Sequence, residues 1–108
     1  MTLEVAKKLF DEINKTALHS LKKDLINYAV EYSKIRADWY LAEEVGKDEM
    51  EDLRRAKHNA FIDSCNILSR EMIKMGEEAS WRKELGNDRI AIGDFACFIN
   101  LIIGIKAR

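Results

Sequence analysis

An all-α fold, a small helical bundle forming a single helical domain over residues 1–108, is predicted by three observations. There is no proline and there are only five glycines, so little of the chain suits irregular connections. Apolar residues recur at three- and four-residue steps along most of its length, the period of a helix rather than of a strand. The composition, 47% hydrophobic against 34% charged, is that of a chain able to bury one core rather than of a disordered segment.

The first segment is the most regular. Leu3, Ala6, Phe10, Ile13, Ala17, Leu21, Leu25, Tyr28, Tyr32, Ile35 and Trp39 make ten steps over 36 residues, which is the helical repeat. Thr2 is the expected N-cap and Gly46 the first residue expected to stop the helix. Roughly forty residues in one helix would be about 60 Å long, whereas a domain of this size has a radius of gyration of about 13 Å. This long N-terminal helix therefore either breaks near residues 14–20, where Asn14, Thr16 and Ser20 can cap, or projects and is covered by a second subunit.

A second helix, antiparallel to the first, is expected from about Asp48 to Met75, with Phe61, Cys65, Leu68 and Met72 on its apolar face and Gly76 at C′. "EEASWRKEL" reads as a short connector helix ending at Gly86, and Asn87–Asp88 offers the N-cap of a closing helix. From Ile90 to Ile105 that helix carries one charge, Asp94. Its apolar run is shorter than the about twenty residues a bilayer requires, so it is expected to be the buried C-terminal helix and no membrane segment. A narrow stripe of Gly93, Cys97, Asn100 and Gly104 runs along it and is expected to be a contact surface, within the chain or between subunits. Asp94 beside the stripe and His58 on the second helix are the expected buried polar residues. A buried carboxylate needs a partner, and the candidates are Arg36, Arg55, His58 and Arg70.

Several function classes lose ground on composition. With 18 basic and 19 acidic side chains there is no basic excess of the kind nucleic-acid binders show. Cys65 and Cys97 have no CxxC spacing and read as small core residues in a reducing cytoplasm. "MTLEVAKKLFDEINK" is charged throughout and has no apolar signal-peptide core. Glycine-rich phosphate loops, GxSxG elbows and dinucleotide fingerprints are missing from the sequence. His58 and Cys65 stand two helical turns apart, about 10 Å along the axis, too far for a nucleophile and its base. Asn59, Asp63, Asn66 and Arg70 form a polar stripe expected to be a solvated face.

Two stretches bear a family likeness. "LAEEVGKDEMEDLRRAKHNAFIDSCNIL" resembles the metal helices of all-helical nucleoside-triphosphate pyrophosphatases, which pair EExxE with ExxD. Glu43, Glu44 and Asp63 match that pattern, whereas Lys47 and Ala60 stand where two further glutamates belong. The resemblance implies a Mg2+-dependent nucleotide hydrolase with Glu43, Glu44 and Asp63 as metal ligands, since a hard cation wants several oxygens. "RAKHNAFIDSCNILSREM" and "WRKELGNDRIAIGDFACFINLIIGIKAR" look like a small all-helical bacterial family of unknown function, which implies the fold class and no activity.

The leading expectation is a non-enzymatic interaction module that self-associates, as a dimer or with another protein partner, and holds no cofactor or catalytic residue. Its expected interface comprises Trp39, Tyr40 and Trp81 as aromatic anchors with Gly93, Cys97, Asn100 and Gly104. The alternatives are the Mg2+-dependent hydrolase and weak nucleic-acid binding through Arg54, Arg55 and Lys57.

Overall fold

The long first segment breaks after residue 11. In a computed structural model, which describes residues 1–76, 84–86 and 88–106, helix α1 (Leu3–Asp11) leads through one 3-10 turn (Thr16–Leu18) into α2 (His19–Leu41). Then come α3 (Glu44–Lys74) and α4 (Arg89–Lys106). Residues 77–83, and with them Trp81 and most of the expected connector helix, lie outside the described residues. The bundle has a radius of gyration of 14.1 Å and extends 47 × 31 × 24 Å, so nothing in it approaches the length of an unbroken first helix.

Burial of side chains, rather than capping by polar ones, accounts for the break. Thr2 caps α1 as expected, its Oγ1 accepting from the Val5 amide at 3.2 Å. Asn14, Thr16 and Ser20 cap neither the 3-10 turn nor α2, because Lys15 and Leu18 occupy the N-cap positions and neither makes a side-chain cap bond. The turn instead buries Ile13 and Leu18, and Lys22 Nζ donates to the carbonyl of Ile13 at 3.0 Å. Folding back brings Leu9 and Phe10 of α1 into the same core as Phe95, Ile99 and Ile102 of α4. A straight helix would leave the α1 residues in water, and each buried Leu or Phe side chain is worth about 1.5–3 kcal/mol.

The second correction concerns Gly46. Helix α2 already ends at Leu41, where Ala42 and Glu43 turn to extended backbone, and Gly46 lies in the first turn of α3. A two-residue connection of this kind makes α2 and α3 antiparallel neighbours, with Lys57 of α3 reaching Glu31 of α2 at 3.0 Å. At the far end Gly76 takes φ +75°, the left-handed C′ position expected of it.

Helix α4 starts where Asp88 Oδ1 accepts from the amides of Ile90 and Ala91 at 3.0 and 3.1 Å, an N-cap. It packs against α2 and α1 through Ala91, Ile92, Phe95, Ala96, Ile99 and Ile102. Phe61 of α3 meets Phe95 edge to face with centroids 6.1 Å apart. The helix is not covered all round, however. Ile90, Leu101 and Ile105 stand in solvent, because α3 touches it far less than α2 does. Among the described residues no helix is long and apolar enough to cross a membrane.

Candidate functional site

The α2–α4 contact shows what the small-residue stripe does. Gly93 faces α2 so closely that a Cβ there would lie 3.1 Å from Tyr32 Oη and 3.4 Å from Arg36 Nη1. Asn100 Nδ2 reaches Ser33 Oγ at 3.3 Å. Arg36 donates from Nη2 to Asp94 Oδ1 at 3.0 Å and from Nη1 to Cys97 Sγ at 3.4 Å. The stripe is thus an internal contact from Gly93 to Asn100, whereas at Gly104 an added Cβ would meet nothing within 4 Å. Of the four candidate partners Arg36 takes Asp94. The expectation that Asp94 is buried needs correcting, since the side chains of the pair are 32% and 34% exposed, and a pair that wet is worth about 1 kcal/mol or less.

Beside this contact, where α2, α3 and the start of α4 converge, an open cleft of ≈ 370 Å³ is lined by Tyr32, Arg36, Trp39, Tyr40, Arg54, Arg55, His58, Arg89, Ile90 and Gly93. Four guanidinium groups from three helices therefore share one concavity. Arg54 grips Glu51 with Nε at 3.1 Å and Nη2 at 2.7 Å, and Arg55 Nη2 reaches the same carboxylate at 3.4 Å. The hydrogen bond from Arg54, with both arginines close by, holds the Glu51 carboxyl below its ordinary range. Burial works against the charge on Arg36, but the bond to Asp94 and the nearness of Cys97 and Tyr32 outweigh it and leave its pKa raised.

Arg89 is held differently. Its Nη2 lies 2.9 Å from Asn59 Oδ1 and 3.4 Å from His58 Nδ1, so its described partners are neutral. Guanidinium can only donate, so His58 Nδ1 accepts and the ring proton sits on Nε2. Burial, followed by the charges of Arg89 and Arg54, pushes the His58 pKa below its ordinary value. His58 is 6% exposed and is buried as expected, packed edge-on against Tyr32 at 4.7 Å. Its Nε2 and the indole Nε1 of Trp39 are buried with no hydrogen-bond partner among the described residues.

Trp39 and Tyr40, expected as interface anchors, both line this cleft. The Trp39 ring has Arg54 at 4.8 Å and Lys47 at 5.1 Å, within cation–π range. Tyr40 is 73% exposed at the cleft mouth.

The remaining candidates are not brought together. Glu43 occupies the N-cap position of α3 without a side-chain cap bond, Glu44 begins the helix and Asp63 lies nineteen residues beyond Glu44 along it, about 28 Å at the helical rise. One ion cannot bind all three, and no group of three or more His, Cys, Asp or Glu among the described residues could hold a metal. The pyrophosphatase pattern puts its two carboxylate motifs on separate helices, but here one helix carries both stretches. Arg54 and Arg55 are drawn into the cleft with Glu51, and Lys57 pairs with Glu31 at 3.0 Å, so they form no continuous basic ridge. Asn59, Asp63, Asn66 and Arg70 are all exposed. Cys65 is buried, and burial drives its thiol pKa far upward, the reverse of what a nucleophile needs.

Sequence reasoning missed the cleft as a unit, although a signal was present. Arg36 falls between Tyr32 and Trp39, Arg54 precedes His58 and Phe61, and Arg89 precedes Gly93 and Ala96, each at steps of four and three. A cation on the core-facing side of three separate helices marks a place where those faces part. Comparison with protein-family models, with curated proteins and with solved structures finds no match in any of the three.

Proposed function

We propose that the protein is a non-enzymatic binding module whose arginine cleft holds an anionic group of its ligand. One observation carries this reading: the polar groups of the cleft are almost all donors. Arg36, Arg54, Arg55 and Arg89, four of its lining residues, cannot accept. Ligand oxygens carrying negative charge complement such an inventory, and arginine forks match them geometrically. No pair of carboxylates or activated nucleophile faces the cleft among the described residues, so binding without turnover fits the residues present.

The test is thermal unfolding in sodium pyrophosphate against sodium chloride of equal ionic strength. A ligand that binds only the folded state raises Tm with the logarithm of its concentration. Pyrophosphate should raise Tm, Arg55→Gln and Arg89→Gln together should abolish the rise, and Arg70→Gln on the exposed α3 face should leave it intact. Equal behaviour of all three proteins would defeat the reading.

A second reading, self-association, is favoured by the α2–α3 turn, where Leu41 and Val45 are 85% and 72% exposed next to Tyr40. Contiguous exposed apolar residues suit an interface with a second copy. The overhanging first helix no longer supports it, because α1 folds back. Under this reading Leu41→Glu converts a dimer to a monomer in light scattering.

A further inference from the structure

We propose that the anion held in this cleft is a phosphate monoester carrying a flat ring, the phosphoryl oxygens gathered by Arg55 and Arg89 and the ring lying on Tyr40. The proposal rests on the anion-site reading above and narrows it to one chemistry.

The phosphoryl group is indicated by the directions from which the donors arrive. A carboxylate offers its lone pairs in a single plane, whereas a phosphate monoester offers three oxygens spread around an axis. Here the donors arrive from α2, α3 and the first turn of α4. Arg36 and Arg54 are committed to Asp94 and Glu51 and contribute a fixed field. On Arg89, Nε and Nη1 carry no hydrogen bond to a described residue, and on Arg55 Nε is likewise unused. Toward the described residues, these two side chains have donors left to give. Among the described residues in and beside the cleft, five cations (Arg36, Lys47, Arg54, Arg55, Arg89) meet four carboxylates (Glu51, Asp52, Asp88, Asp94), so positive charge exceeds negative by one.

The ring is indicated by space and by Tyr40. A cleft of ≈ 370 Å³ is in the range of small-molecule sites, roughly 300–1,000 Å³, and is far larger than a phosphoryl group requires. Lys47 and Arg54 already attend the Trp39 ring. Tyr40 is the aromatic face still in solvent at the mouth, with Lys47 6.0 Å from its centroid. Stacking on such a side chain is tolerant of ring identity, so a nucleoside and an aryl group are both accommodated.

Calorimetric titration at constant ionic strength separates these elements, using phenyl phosphate, adenosine monophosphate, inorganic phosphate and benzoate as probes. At least one of the two ring-bearing phosphates should bind about tenfold or more tighter than inorganic phosphate. Benzoate should bind at least about tenfold more weakly than phenyl phosphate. Tyr40→Ala should remove the ring advantage and leave inorganic phosphate binding unchanged. Benzoate matching phenyl phosphate, or ring-bearing phosphates no better than inorganic phosphate, would overturn the proposal while leaving an anion site in place. Failure of every probe to bind would overturn both.

Discussion

Arg36 of α2 spans two residues of α4 at once, holding Asp94 at 3.0 Å and Cys97 at 3.4 Å. One guanidinium thereby bridges α2 and α4 beside the cleft, whose edge also carries Arg89. The side chains of the Arg36–Asp94 pair are 32% and 34% exposed, so its contribution to stability is modest. In a double-mutant cycle, Arg36→Gln and Asp94→Asn should show a coupling of about 0.5–1 kcal/mol in urea unfolding. Additive losses would mean that the two side chains are neighbours without being partners.

The glycine stripe makes opposite predictions at its two ends. Alanine is favoured over glycine inside a helix by about 1 kcal/mol, and at Gly104 an added methyl meets nothing within 4 Å, so Gly104→Ala should raise Tm. At Gly93 the methyl would lie 3.1 Å from the hydroxyl of Tyr32, a residue 3% exposed, and that side chain would have to shift by a few tenths of an ångström. Gly93→Ala should lower Tm by several degrees despite its better propensity. Equal effects at both positions would show that close approach to α2 is not why Gly93 is there.

His58 gives the fold an acid-sensitive term. Its folded pKa lies below the ordinary 6.5 because burial and the neighbouring arginines oppose the imidazolium. The unfolded chain therefore binds this proton more readily. The stability it contributes is fully present above about pH 6.5 and is lost as pH falls through the lower folded pKa. Urea unfolding of the protein and of His58→Gln should differ more at pH 7.5 than at pH 5. A difference that is constant across that range would remove His58 as a source of acid sensitivity.

Whatever depends on local pattern was legible in the sequence. The helical period of residues 3–39, the Thr2 cap, the Asp88 cap and the left-handed Gly76 arise from side chains within one turn of each other. The break in the first helix was legible only as one of two options, set by length against domain size. Its place, expected near residues 14–20, overlaps the observed interval between α1 and α2, but for a reason that local pattern does not show: Ile13 and Leu18 bury themselves against other parts of the fold, while Asn14, Thr16 and Ser20, which do favour caps, do not occupy the N-cap positions. Gly46 misled for a related reason: tolerated in the first turn of α3, it lies beside Ala42, and the chain had already turned at Ala42 and Glu43. The cleft depends on four arginines from three helices, and only the packing of α2 against both α3 and α4 joins them. Glu43, Glu44 and Asp63 show the converse, residues that fit a spacing pattern and are separated by the straightness of one helix.

Arginine side-chain and indole NMR signals, monitored as inorganic phosphate is added at constant ionic strength and pH 7, would locate any bound anion. Shifts concentrated at Arg55, Arg89 and the Trp39 indole, saturating together with one dissociation constant, are the expected result. Shifts spread evenly over all arginines, Arg70 included, or no shift at Arg89, would contradict an anion site in this cleft.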